Sequence, residues 1–269
     1  MPEQPPVTLD PIGRFVSIEW IGRTGSTNAD LVALVRSNPE FGRVGRVLVA
    51  DEQSSGRGRR GRRWSMPAGG GVLLSVFVPW ADSATAHLVP TALGVAAVDA
   101  IRALDIDLSI KWPNDLLASG EEGRKVAGTL SEIVYPEDGG DCRGVVAGIG
   151  INVSWPTPDA VNAIDEVASA TCLDQLAPQP VDRKLLVVDL VGHLDQELTS
   201  LESSGAETLL DRYRKRCATL GQTVRIEHAD GTSREGRATD IDRSGRLVLD
   251  EDGTLTHVEV GDVLHLRPG

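Results

Sequence analysis

Nowhere in these 269 residues does an apolar run approach the roughly 18 to 20 residues that a bilayer-spanning helix needs, which argues against membrane insertion. The first thirteen residues also lack the basic start and apolar segment of a secretory signal. With Pro2, Pro5, Pro6 and Pro11 they read as a flexible arm over residues 1–13, and the chain is expected to be cytoplasmic. Cysteine is scarce: Cys142, Cys172 and Cys217 are odd in number, far apart and not in metal-ligand spacing. That argues against a disulfide framework and a zinc site, and leaves buried or incidental thiols. Basic charge is outweighed, 27 Lys and Arg against 39 Asp and Glu, and a formal net charge of -12 opposes a general nucleic-acid-binding role. The one glycine-rich basic loop has no Gly-Lys-Ser/Thr ending, so it is not a P-loop, and there is no internal repeat or long low-complexity tract.

What is present is an ordinary globular composition, 41% hydrophobic and 25% charged, in a chain long enough for one large domain and a small appended module. Residues 15–21 read as a strand, 24–28 as a turn with Ser26 or Thr27 as cap, and 29–35 as a helix. Strands are expected at 44–50 and 72–78, and a long apolar helix at 90–104. Residues 108–112, 124–134 and 143–153 are strand-like, separated by Gly- and Asp-rich turns at 118–123 and 136–141. Connections that short imply antiparallel neighbours and leave no room for the helical crossovers of a doubly wound parallel sheet. After a loop-rich stretch at 154–180, Asp182 is placed to cap a helix reaching 201, and 207–217 is a second, shorter one. From Gly221 five short strands, 223–228, 234–242, 246–250, 255–260 and 263–266, suggest a small closed barrel with turns at Asp230-Gly231 and Asp252-Gly253.

Four segments carry chemistry. Between Arg57 and Arg63 five of seven residues are arginine, broken only by Gly58 and Gly61. Glycine lets the backbone approach a ligand closely, and the guanidinium fork fits carboxylates and phosphates bidentately. The loop is therefore either an anion-binding element or a basic RNA-binding or solvated loop. Ile110-Lys111-Trp112-Pro113-Asn114-Asp115 ends a strand in a turn that exposes two polar side chains. In residues 124–130, period-two alternation puts Lys125, Ala127 and Thr129 on one face, with Gly128 where a ligand or backbone can pass close; a solvent-facing lysine is the competing reading. In Gly148-Ile149-Gly150-Ile151-Asn152-Val153 the apolar side chains share one face, and two glycines and an amide share the other. That bare face is either the floor of a small-ligand pocket or a surface against which a helix packs closely.

Taken in order, Ser26-Thr27-Asn28, Gln53 followed by Gly56-Arg57-Gly58-Arg59-Arg60-Gly61, Lys111-Trp112-Pro113-Asn114-Asp115, Lys125-Val126-Ala127-Gly128 and Gly150-Ile151-Asn152 resemble the motifs of biotin protein ligases across the chain from Thr24 onward. The resemblance implies an α+β fold. Residues 14–220 would form a catalytic domain like that of class II aminoacyl-tRNA synthetases, with a mixed, largely antiparallel sheet, and residues 221–269 an SH3-like β-barrel. It implies an enzyme that uses ATP to activate biotin as biotinyl-5′-AMP, releasing pyrophosphate, and then acylates one lysine on the biotin carboxyl carrier domain of a biotin-dependent carboxylase. Neither nucleic acid nor membrane is an expected partner.

The resemblance also implies roles. Ser26, Thr27, Asn28, Gln53 and Gly128 would contact biotin, and Arg57, Gly58 and Arg59 belong to a loop that closes over its carboxylate and the adenylate phosphate. Lys125 would sit at the reacting carboxylate and α-phosphate; Arg60, Arg62, Trp64, Asn114, Asp115 and Asn152 would surround ATP, with Asp115 holding Mg2+. Lys125, Arg59 and Asp115 are thus the expected catalytic residues. The family's Ala-Thr-Ser-Leu, in the stretch that orders around adenine, reads Ala170-Thr171-Cys172-Leu173 here. About two dozen residues precede Thr24, too few for the helix-turn-helix that some members carry, so a ligase without a DNA-binding domain is expected. A lipoate or octanoyl ligase is the nearest alternative, and the dense Gly-Arg loop followed by Lys-Trp-Pro-Asn-Asp favours biotin.

Overall fold

The strand β2, Phe15–Thr24, runs into Ser26, whose extended backbone and hydroxyl cap the helix α1, Thr27–Ser37, by accepting from the Ala29 N–H. In this computed structural model, which describes residues 6–80, 82, 84–120, 123–135, 142–155, 170–228, 230–259 and 261–266, α1 is the crossover that returns β3, Gly45–Gln53, parallel to β2. The other described strand–strand pairings are antiparallel, and two isolated bridges, Ile110 to Cys217 and Lys125 to Ala170, are parallel. With β1 (Val7–Leu9), β4 (Gly71–Pro79), β5 (Leu108–Lys111), β6 (Asp115–Ala118), β7 (Lys125–Val134) and β8 (Gly144–Asn152), the main sheet has the order β1-β2-β3-β4-β8-β7-β6-β5. The glycine-bearing strand β8 is therefore central, between β4 and β7.

Alternation along β4 assigns the two faces. Val72, Leu74, Val76 and Val78 join the core formed with the helices α2 (Val89–Arg102) and α3 (Arg183–Ser204), whereas Phe77 packs with Leu31, Val32 and Val35 of α1. Full burial of such a side chain contributes about 1.5–3 kcal/mol, so a one-residue slip of β4, which would drive Ser75 into the α2–α3 face, is strongly disfavoured. The functional side chains consequently collect on the α1 side. Asp182 caps α3 by accepting from the Lys184 and Leu185 N–H groups, and α4, Ala206–Arg216, follows after Gly205.

Three expectations change. Part of the stretch expected as a flexible arm is ordered: β1 pairs with β2 and Leu9 is buried, so contacts override the proline-rich composition. Strand β6 bridges the expected turns ending at Asp115 and beginning at Ala118, a gap to which sequence patterning assigns no element because four residues are too few to show a period. The C-terminal strands, β9 (Thr223–Glu227), β10 (Ser233–Ile241), β11 (Leu247–Glu251), β12 (Thr254–Val258) and β13 (Asp262–His265), form a five-stranded antiparallel sheet of order β12-β11-β10-β9-β13. Its described pairings do not join β12 to β13, so the expected closure is not seen among the described residues. The turn expected at 136–141, residues 156–169 of the loop-rich stretch and residues 1–5 of the arm lie outside the described residues.

The C-terminal sheet is fastened to the main one. Trp112 donates its indole N–H to the Gly245 carbonyl and its backbone N–H to Thr219 Oγ1, while Arg214 grips the Ile241 carbonyl and Asp240. All three cysteines are free, Cys172 and Cys217 buried and Cys142 half-buried. No helix among the described residues is long and apolar enough to cross a membrane.

Candidate active site

The end of β2, the start of α1 and the end of β3 bring the first polar cluster together. Gln53 Oε1 accepts from the Thr27 backbone N–H at 2.8 Å and from Thr27 Oγ1 at 3.0 Å. Ser75 Oγ lies 2.6 Å from Thr27 Oγ1 and donates to Asn28 Oδ1 at 2.5 Å, and Asn28 Nδ2 donates to the Leu130 carbonyl at 3.1 Å. Ser26, Thr27, Asn28 and Ser75 are all buried. Thr27 has one hydroxyl proton for two acceptors, Gln53 Oε1 and Ser75 Oγ; Gln53 Oε1 accepts from the Thr27 backbone N–H in either case, so the cluster holds itself together and still has oxygen lone pairs to offer a ligand N–H.

The second cluster is ionic. Lys125 Nζ stands 2.7 Å from Asp115 Oδ1 and 5.4 Å from the centroid of the Trp64 ring. Arg59 Nη1 donates to Asn114 Oδ1 at 3.1 Å, and Asn114 Nδ2 to the Thr129 carbonyl at 3.0 Å. Burial lowers the pKa of Arg59 from its ordinary value, and the Asp262 and Asp115 carboxylates oppose that shift. Burial lowers Lys111 as well, against the field of Asp115.

The arginine loop is a hairpin. Arg57 pairs with Arg63, Gly58 N–H reaches the Arg62 carbonyl, and Trp64 N–H the Gly56 carbonyl. At its tip Arg60 (φ 56°) and Gly61 (φ 75°) are successively left-handed and the Arg62 N–H closes on Arg59 O, the pattern of a type I′ turn. A non-glycine residue there costs about 1–2 kcal/mol.

The two clusters line one cavity of about 380 Å³. Every expected site residue lines it except Arg60, whose guanidinium turns instead to Asp262 and the Glu227 carbonyl. Thus Ser26, Thr27, Asn28, Gln53, Arg57, Gly58, Arg59, Arg62, Trp64, Asn114, Asp115, Lys125, Gly128 and Asn152 are brought together. Among the polar lining residues sequence reasoning missed Ser65 and Ser75; only Ser75 left a signal, as a lone polar residue inside an apolar strand, while Ala170 belongs to the stretch expected around adenine. The bare glycine face meets both readings in part: Gly148 and Gly150 line the cavity, and Gly148 also takes the side chain of Asn28 from the helix α1. A Cβ at Gly148 would lie 2.3 Å from Asn28 Oδ1, and one at Gly150 2.4 Å from the Trp64 indole, so these glycines make room for two side chains of the site itself. The Trp64 indole N–H is buried without a partner, and Asn152 is spent on holding the Thr171 carbonyl.

Chemically the cavity has a neutral hydrogen-bonding end and a strongly cationic one. Among the described residues Arg57, Arg59, Arg62, Arg63 and Lys125 face it, against the single carboxylate Asp115. Such an excess suits a ligand with several negative charges. Among the described residues no group of three or more His, Cys, Asp or Glu is placed to hold a metal by itself.

Comparison with known proteins gives matches over both parts of the chain. Residues 22–152 match the biotin/lipoate A/B protein ligase family, and residues 219–266 the biotin protein ligase C-terminal domain. The biotin--[acetyl-CoA-carboxylase] ligase of Mycobacterium tuberculosis is 36% identical over 256 residues, covering 93% of this chain and 89% of that protein. That of Paracoccus denitrificans is 31% identical, covering 85% of this chain and 92% of its own length. Among solved structures, a biotin protein ligase from Aquifex aeolicus in complex with biotin and ATP superposes with a TM-score of 0.72 at 24% identity, over 93% of this chain and 98% of that one, which is a likeness of fold.

Proposed function

From the premise that this chain belongs to the biotin protein ligase family, we propose that it is an ATP-dependent biotin ligase acting on a carboxylase's carrier domain. The observation that carries the reading is one cavity with a neutral N–H-seeking end and a cationic end. Biotin has matching chemistry: a ureido ring with two N–H groups and a carbonyl at one end, a carboxylate at the other.

In the first half-reaction a carboxylate oxygen of biotin attacks the α-phosphorus of ATP. The P–O bond to the β-phosphate breaks, and pyrophosphate leaves with that electron pair. Two anions must meet in a partly desolvated site, where their repulsion would otherwise cost several kcal/mol. Lys125 and Arg59 neutralise the developing charge, and Ser26, Thr27, Asn28 and Gln53 orient the ring. Arg57, Gly58 and Gly128 border the acyl chain and carboxylate; Arg62, Trp64, Asn114 and Asn152 border the nucleotide. Asp115 is, among the described residues, the one carboxylate facing this cavity, which fits Mg2+ as it is usually held, by one or two carboxylates plus phosphate oxygens. The ion would supply charge neutralisation on the phosphates.

In the second half-reaction the carrier lysine's amine, once deprotonated, attacks the acyl carbon and AMP leaves, forming an amide. The mixed anhydride is water-sensitive, so the arginine hairpin serves as a cover until the carrier arrives. The fold class we favour is that of class II aminoacyl-tRNA synthetases, with an SH3-like module beginning near Leu220. The three free cysteines suit the reducing cytoplasm in which we place the enzyme. Incubation with biotin, ATP, Mg2+ and a biotin carboxyl carrier domain should add one biotin to one carrier lysine, read by mass spectrometry. An unmodified carrier, with the enzyme folded, would remove the reading.

A further inference from the structure

Two arginines of the hairpin reach across the molecule to a single carboxylate on the C-terminal sheet. Arg60 Nη1 donates to Asp262 Oδ2 at 3.0 Å, and Arg62 Nη2 donates to Asp262 Oδ1 at 2.9 Å, so both oxygens are engaged by residues some two hundred positions away. Arg60 Nη1 also donates to the carbonyl of Glu227 at 3.3 Å, and Glu227 is the register partner of Asp262 in the β9–β13 pair. The Arg60 and Asp262 side chains are 28% and 27% exposed, so most of each is shielded from water. A carboxylate shared by two guanidinium groups is a network, the arrangement in which partly exposed ion pairs become worth counting.

The backbone points the same way. Arg60 is left-handed without the freedom of glycine, a conformation that persists only where surrounding contacts hold it. Arg59, its neighbour, is aimed oppositely, onto Asn114 inside the cavity. Tying Arg60 and Arg62 to β13 therefore fixes the register in which Arg59 faces inward.

We propose that Asp262 is a positioning residue, which docks the tip of the arginine hairpin on the C-terminal sheet through Arg60 and Arg62 and thereby aims Arg59 into the cavity. The docking rests on geometry alone; its consequence for the adenylate rests on the ligase reading above. The C-terminal sheet, none of whose described residues lines the cavity, thus governs its cover.

The test uses full-length Asp262→Asn, Asp262→Glu and Arg60→Gln without ligands, digested briefly with trypsin. Cutting after Arg59 and Arg63, sites common to all the variants, is followed by mass spectrometry alongside each melting temperature. Asp262→Asn and Arg60→Gln should each be cut about tenfold faster there, equivalent to about 1.4 kcal/mol of docking, and the double variant no faster than either. Asp262→Glu should stay near the wild-type rate, and all should melt within about 5 °C of the wild type. With biotin and ATP added, Asp262→Asn should release more free adenylate per ATP consumed. Wild-type cutting rates in both neutral variants overturn the docking whether or not the chain is a ligase. Faster cutting with unchanged adenylate escape overturns the aiming of Arg59. A lowered melting point with cutting throughout the chain reduces Asp262 to a structural residue and overturns the proposal.

Discussion

Lys125 Nζ lies 2.7 Å from Asp115 Oδ1, a cation held by the carboxylate of the neighbouring strand at the mouth of the cationic cluster. The pair keeps Lys125 aimed before any ligand arrives, and a phosphate could take over the ammonium without moving it far. Replacing Lys125 by Ala removes a charge needed most as negative charge develops between carboxylate and phosphorus. Adenylate formation in a single turnover should fall about 10²- to 10³-fold, with biotin affinity within a few-fold of wild type. Adenylate formed at the wild-type rate would remove Lys125 from the mechanism.

Gly150→Ala tests the filled glycine face. The new methyl would sit 2.4 Å from the Trp64 indole, and Trp64 carries the hairpin's return strand. The indole must leave, so binding of biotin and ATP by calorimetry should weaken at least about tenfold, while the central strand, paired on both sides, keeps the melting temperature within a few degrees. Unchanged binding of both ligands would mean that the Trp64 position is incidental.

Arg59→Gly should separate the half-reactions. The variant loses the fork that reaches Asn114 and the cavity, yet keeps Lys125 and Asp115 for activation. Losing a charge-assisted contact costs about 1.5–3 kcal/mol, or about tenfold to a hundredfold in retention of the intermediate. Escaped adenylate should biotinylate a lysine-rich bystander protein, seen on an avidin blot after equal ATP turnover. Labelling no higher than wild type, with ATP consumed, would show that another group retains the adenylate.

His265 predicts a pH dependence of stability. It ends β13, with its Nε2 3.2 Å from Thr219 Oγ1, and burial first, then the Lys111 charge, lower its pKa below the ordinary value of about 6.5. The unfolded state therefore binds the proton more readily. Stability should be full above pH about 6.5 and fall as pH drops through the window between the ordinary and the lowered value. The melting temperature of His265→Gln should lose that component of the acid-side slope; identical slopes in both proteins would contradict it.

Most of the site was legible because its residues come in short local motifs: the cap Ser26-Thr27-Asn28, the hairpin arginines, and Lys125 and Gly128 on one strand. The strand–helix order was legible from periodicity, which α1, β4 and α2 follow closely. The rest depended on distant partners. Composition could not reveal that Val7–Leu9 finds an edge to pair with. Nor could it show that Ser75 closes a hydrogen-bond chain with Thr27 and Asn28, or that Arg60 answers to Asp262 instead of the cavity. The two glycines of β8 were read correctly as making space, but their occupants, Asn28 and Trp64, come from elsewhere in the chain.

The central claim is that this one cavity joins biotin to the α-phosphate of ATP. It is tested most directly by the exchange of labelled pyrophosphate into ATP on the purified chain with Mg2+, without any carrier. Exchange should require biotin, should not be supported by lipoate or octanoate, and should vanish in Lys125→Ala. Exchange that is absent with biotin, or that runs with lipoate or octanoate in its place, would contradict the account.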